Sequence, residues 1–69
     1  MENNIYKKIE ITGTSSKSSD DAIENALKRA SKSVQNLRWF EVIETRGAIS
    51  GSSVEQWQVT IKVGFTMMD

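Results

Sequence analysis

Trp39 and Gln58 are the residues of this 69-residue chain whose side chains ask for a ligand. Trp39 lies in Arg38-Trp39-Phe40-Glu41-Val42, where two large rings are neighbours in a segment that reads as a strand, so they point to opposite faces of a sheet. One ring, Phe40, is expected in the core, which leaves the indole on open surface. An indole offers a flat polarizable face, and a glutamine amide offers one donor group and one acceptor. Together they suit a planar heterocycle that carries alternating N–H and C=O groups. The competing reading of an exposed tryptophan in so small a domain is a subunit contact.

Other residue groups carry less chemistry. Gly13-Thr14-Ser15-Ser16-Lys17-Ser18 lies between a strand and a helix, as a phosphate-binding loop does, but Ser16 stands where that motif needs a glycine before the lysine. A serine-rich connection capping the helix explains it better. Asp20, Asp21 and Glu24 fit the first turn of a helix, with no nucleophile or histidine beside them, so catalysis is not expected. The chain has neither cysteine nor histidine, which excludes disulfides and metal sites built on those residues.

Nine basic and nine acidic residues give a formal net charge of zero. Nucleic acid binding therefore lacks its usual electrostatic drive, and an RNA-binding sheet face is disfavoured. No apolar run is long enough to span a membrane, and the N-terminus lacks the order of a secretion signal, so a cytoplasmic protein without membrane partners is expected.

These residues have to be positioned by few elements. Ile5, Lys7, Ile9 and Ile11 alternate with Tyr6, Lys8, Glu10 and Thr12, which predicts a strand over residues 5–12, ended by Gly13. Ala22, Ile23, Ala26, Leu27, Ala30, Val34 and Leu37 recur at three- and four-residue steps, which predicts a helix from about Ser19 to about Asn36. Ser18 and Asp21 resemble a capping box, and the alanines suggest close approach to a sheet. Alternation returns over residues 38–46 and 54–65, around a Gly/Ser-rich turn, as in a hairpin. Trp57, Val59, Ile61, Val63 and Phe65 form one apolar face, and Gln56, Gln58, Thr60 and Lys62 the other. Phe40 and Val42 are the natural core pair of the middle strand. Trp39, Glu41 and Ile43 then turn outward, and Trp39 and Gln58 share an open face if the register brings them near.

The prediction is one α+β domain over residues 1–69, of order β-α-β-β, with a three-stranded antiparallel sheet around one helix. A core this small is marginal, and without disulfides self-association is the remaining common source of stability.

Taken together, "YKKIEITGTS", "DDAIENALKRASKSVQNLRWFEV", "ETRGAI" and "WQVTIKVGF" resemble the dodecins, small flavin-binding proteins, over Tyr6 to Phe65. The resemblance implies a hollow homododecamer in which flavins lie in pairs between tryptophans of symmetry-related subunits, while a glutamine hydrogen-bonds the isoalloxazine edge. By position these residues are Trp39 and Gln58, and Glu41, Arg46 and Gln56 are the candidates to complete the pocket. The implied function is flavin storage with quenching of the excited state, by electron donation from tryptophan and without turnover. The implied ligand is FMN, riboflavin or FAD, with coenzyme A as a further family ligand. Thr66 and Asn4 stand where many members carry phosphate-contacting basic residues, so the sequence does not rank the flavins. The alternative is a structural homo-oligomer, or a coenzyme A-binding shell, with no flavin function.

Overall fold

In the computed structural model, which describes residues 3–67, β1 (Tyr6–Ser15), α1 (Ser19–Ser33), β2 (Leu37–Ser50) and β3 (Ser53–Thr66) follow in the predicted order. The three strands form one antiparallel sheet in the spatial order β1-β3-β2, so the last strand is central.

Strand β1 does not stop at Gly13. The glycine opposes Val59 inside the ladder, and a Cβ there would overlap the carbonyl oxygen of Ala22 and crowd the Cβ of Ala26. Gly13 is where the helix rests on the sheet, which is why a residue without a side chain stands there. The expected partners of that approach are present: Ala22, Ala26 and Ala30 are the buried helix residues, against Val59, Ile61 and Val63 of β3.

The helix begins where capping predicts, with the Ser18 side chain accepting a hydrogen bond from the Asp21 amide at 3.0 Å. The second half of the capping box is rerouted. The Asp21 carboxylate accepts from Ser15 Oγ at 2.6 Å, and Ser15 Oγ in turn accepts from the amide of Lys17 at 2.9 Å. Its C-terminus falls short of Asn36: Val34 is already extended, with its N–H on Ala30 O at 2.8 Å, and Asn36 adopts a left-handed φ of 66°. Asparagine tolerates that region better than most residues and here reverses the chain into β2.

The hairpin is tighter than expected. β2 and β3 pair through Ser50 and Ser53, so only Gly51 and Ser52 form the loop, and Gly51 has φ 63°. A glycine at the first central position of a two-residue loop is what a type II′ turn requires.

Phe40 and Val42 are not core residues in the single chain. They oppose Val63 and Ile61 and so turn toward the helix side, but they remain 44% and 49% exposed. The helix packs on β1 and β3, and β2 extends beyond its cover. The radius of gyration is 14.3 Å, with extents of 54 × 20 × 14 Å. A compact domain of this length would have about 11 Å. Grooves of about 500 Å³ and 380 Å³ flank the helix, the first between Ile9, Ile11, Ala26 and Ala30 and the second between Leu27, Leu37, Phe40 and Val63.

Candidate functional site

Strand register decides which candidate residues share a face. On the face away from the helix, β3 presents Gln56, Gln58, Thr60, Lys62 and Gly64, opposed on β2 by Ala48, Arg46, Glu44, Glu41 and Trp39. Simple alternation from Trp39 would place Arg46 on the other face. A register shift between Val42 and Glu44 makes Ile43 an extra residue, and the phase of the strand changes there. The outward row is therefore Trp39, Glu41, Glu44 and Arg46. Ile43, expected in that row, is the bulge itself, and the ladder runs regularly through Arg46 and Gly47.

All five candidates thus lie on one face, but in two clusters. Trp39 opposes Gly64 and Arg46 opposes Gln58. The clusters are six residues apart along β3, or about 20 Å. Within one chain, Trp39 and Gln58 do not meet.

The first cluster is a seat for the indole. A Cβ at Gly64 would overlap the six-membered ring of Trp39, so the indole lies flat on the strand where the side chain is missing. Tyr6 closes one side, edge-to-face, with ring centroids 5.0 Å apart and an interplanar angle of 79°. The indole Nε1 donates to Glu41 Oε2 at 3.1 Å, and the same oxygen accepts from Lys8 Nζ at 3.1 Å. These two bonds, that from Trp39 first, hold the Glu41 carboxyl below its ordinary pKa. The indole keeps its outer face in solvent, at 38% exposure for the residue.

The second cluster is a chain of amides and charges. Arg46 Nε donates to Gln58 Oε1 at 2.6 Å, Arg46 Nη1 pairs with Glu44 Oε1 at 3.2 Å, and Gln58 Nε2 donates to Gln56 Oε1 at 2.8 Å. Each functional atom of the Gln58 amide then has one lone pair or one hydrogen left for a ligand.

A family model, dodecin, matches residues 5–68. The chain belongs to the dodecin family. It is 46% identical to the dodecin of Thermus thermophilus over 63 residues, 91% of each chain. A solved dodecin from Streptomyces davaonensis superposes with a TM-score of 0.94 at 44% identity, covering 99% of this chain and 100% of that one. A Mycobacterium tuberculosis relative named calcium dodecin is 35% identical over 63 residues, 91% of this chain and 89% of its own. Among the described residues here, no group of three or more acidic side chains is placed to hold a metal ion. No helix is long and apolar enough to cross a membrane.

Sequence reasoning did not single out Gly64, Tyr6, Lys8 or Glu44 as parts of these clusters. Gly64 carried a signal, since a glycine inside a strand marks close approach of something to the backbone. The other three depend on cross-strand register, which the sequence does not display.

Proposed function

We propose that this dodecin-family chain is a flavin-binding storage protein that stacks flavins on Trp39 and quenches their excited state. The observation that carries this reading is the seat of the indole. Gly64 supports one face, Tyr6 and Glu41 fix its rotation, and the free face is presented in a defined plane. A planar ring laid on that face gains dispersion and loses apolar contact with water. In van der Waals contact the indole can donate an electron to a photo-excited flavin and recover it, so excitation is lost without turnover.

The separation of the two clusters supports a site that forms between protomers. A flavin on Trp39 takes its edge contact from Gln58 of another protomer, with Gln56 and Arg46 holding that amide. A homododecamer with flavins paired between symmetry-related tryptophans meets this requirement. The exposed Phe40, Val42, Ile43 and Ile49 and the elongated shape supply the apolar area for such association. FMN, riboflavin and FAD all carry the ring system, and coenzyme A belongs to a separate contact if it binds. In this reading the protein is one domain and acts in the cytoplasm as a binder, not an enzyme.

The test is titration of flavin-free protein into riboflavin while following flavin fluorescence, for wild type and Trp39→Ala. Quenching that saturates near one flavin per chain and is lost in the variant, with assembly mass unchanged, is the expected result. Unchanged binding by Trp39→Ala would sink the reading, and disruption of the assembly would make Trp39 a structural contact.

A further inference from the structure

The indole N–H of Trp39 is aimed at a carboxylate. Trp39 and Glu41 stand two residues apart on β2 and project from the same face of the strand, and Nε1 donates to Glu41 Oε2 at 3.1 Å. An exposed indole has no need of this bond for its own satisfaction, because water serves its N–H as well. The second partner of that oxygen comes from the far edge of the sheet. Lys8 opposes Gly64 from β1 as Trp39 does from β2, and its Nζ reaches past the missing side chain to the same Oε2 at 3.1 Å. Lys62, on the central strand between them, opposes Glu41 in the ladder.

This arrangement has a chemical consequence when the indole is oxidised. A neutral indole is a very weak acid, and its N–H stays where it is. Loss of one electron brings the acidity of that N–H into the range of carboxylic acids. A carboxylate already hydrogen-bonded to the N–H then accepts the proton along an existing bond, with no rearrangement of the seat. Lys8 acts in the other direction: its ammonium, on the accepting oxygen, favours the ionised form of Glu41 and so favours return of the proton.

We propose that Glu41 is the proton acceptor of Trp39 during quenching, with Lys8 setting how far the proton moves. The inference deepens the flavin reading above and rests on it for the oxidant, a photo-excited flavin stacked on the indole. Trp39 gives up one electron. The Nε1–H bond breaks with its electron pair left on nitrogen, and the proton forms an O–H bond with Glu41 Oε2. Trp39 is then a neutral indolyl radical and Glu41 a carboxylic acid. When the electron comes back, the O–H bond breaks and the proton returns to Nε1, so the chain ends as it began. Glu41 touches the indole and not the ligand, and it acts through Trp39.

The experiment oxidises Trp39 in the flavin-free assembled protein with a diffusible ruthenium polypyridyl photo-oxidant and follows the indole radical by transient absorption, in which the cation and the neutral radical have distinct spectra. Trp57→Phe and Tyr6→Phe form the background, which removes the second tryptophan and the single tyrosine of the chain. The Glu41 chain should convert the cation to the neutral radical faster than Glu41→Gln by about a hundredfold, the lower end of what a placed general base contributes. The amide oxygen in Glu41→Gln still accepts the indole N–H but is too weak a base to take its proton, so a purely structural role would leave this rate unchanged. Lys8→Gln should speed the conversion several-fold, and it tests the same point if Glu41→Gln fails to assemble. A cation that persists equally with and without Glu41, or a rate indifferent to Lys8→Gln, overturns the proposal. Riboflavin titration of the same proteins separates the two readings: absence of binding by wild type removes the flavin as oxidant, whereas the flavin-free measurement decides the role of Glu41 by itself.

Discussion

The indole of Trp39 lies flat on the backbone of Gly64, its cross-strand partner, and occupies the space that any side chain at position 64 would fill. The largest aromatic side chain on the open face is thereby held against the sheet at its lower face and left free at its upper one. Gly64→Ala should lift or rotate the indole while the ladder persists. Overpacking of this kind costs about 1–3 kcal/mol. If it falls on ligand binding, riboflavin affinity drops by about tenfold per 1.4 kcal/mol. Titration of the assembled variant checks this, and wild-type affinity in Gly64→Ala would show that the seat does not set the plane of stacking.

Glu41 fixes the indole in that plane, and its ionisation can be followed. Its carboxyl pKa is lowered in the folded chain by the bonds from Trp39 and Lys8, with Lys62 also facing it. A depressed carboxyl pKa means that the contribution is present above the unfolded value and is lost as pH falls through the folded one. The Trp39–Glu41 bond should therefore survive acidification to the ordinary glutamate range and break only below it. Tryptophan fluorescence in a Trp57→Phe background reads this transition, which Glu41→Gln should remove. A transition centred at or above the ordinary glutamate pKa would contradict the assignment.

Element order, the alanine stripe and the outward tryptophan were legible because each is written in local periodicity. What the sequence hid was set by contacts between elements. Gly13 reads as a strand terminator until the helix that crowds it is known. Val34 and Leu37 keep the helical spacing although the backbone has already extended at Val34 and reverses at the left-handed Asn36, so the apolar pattern runs on past the end of the helix without a break. Phe40 and Val42 alternate as core residues do, and the side they face is right, but a fifteen-residue helix does not reach across three strands. The bulge at Ile43 leaves no trace in residue type, yet it decides that Arg46 stands on the same face as Trp39 and Gln58.

Gly13 is the packing counterpart of Gly64. Its Cα faces the helix where Ala22 and Ala26 come closest, so Gly13→Ala must push backbone away from backbone. The expected loss is about 2 kcal/mol per chain, with no direct effect on the indole. Denaturant unfolding should show a lowered midpoint with an unchanged slope. A neutral or stabilising outcome would mean that the helix can slide along the sheet.

Arg46 and Gln58 should behave as one unit. Arg46 Nε holds Gln58 Oε1 at 2.6 Å, and the amide is further oriented by Gln56 at 2.8 Å. Removing the arginine takes away one of the two bonds that orient the amide, so on the proposed flavin reading the amide would meet the isoalloxazine edge less often in the productive orientation. Arg46→Ala should weaken riboflavin and FMN alike, by several-fold. Gln58→Ala removes the edge contact itself and should cost at least as much. Because the arginine acts through the amide, the two effects should not add: in a double-mutant cycle, Arg46→Ala should have little further effect once Gln58 is alanine. Full additivity would mean that Arg46 touches the flavin independently, and the positioning role would then pass to Gln56.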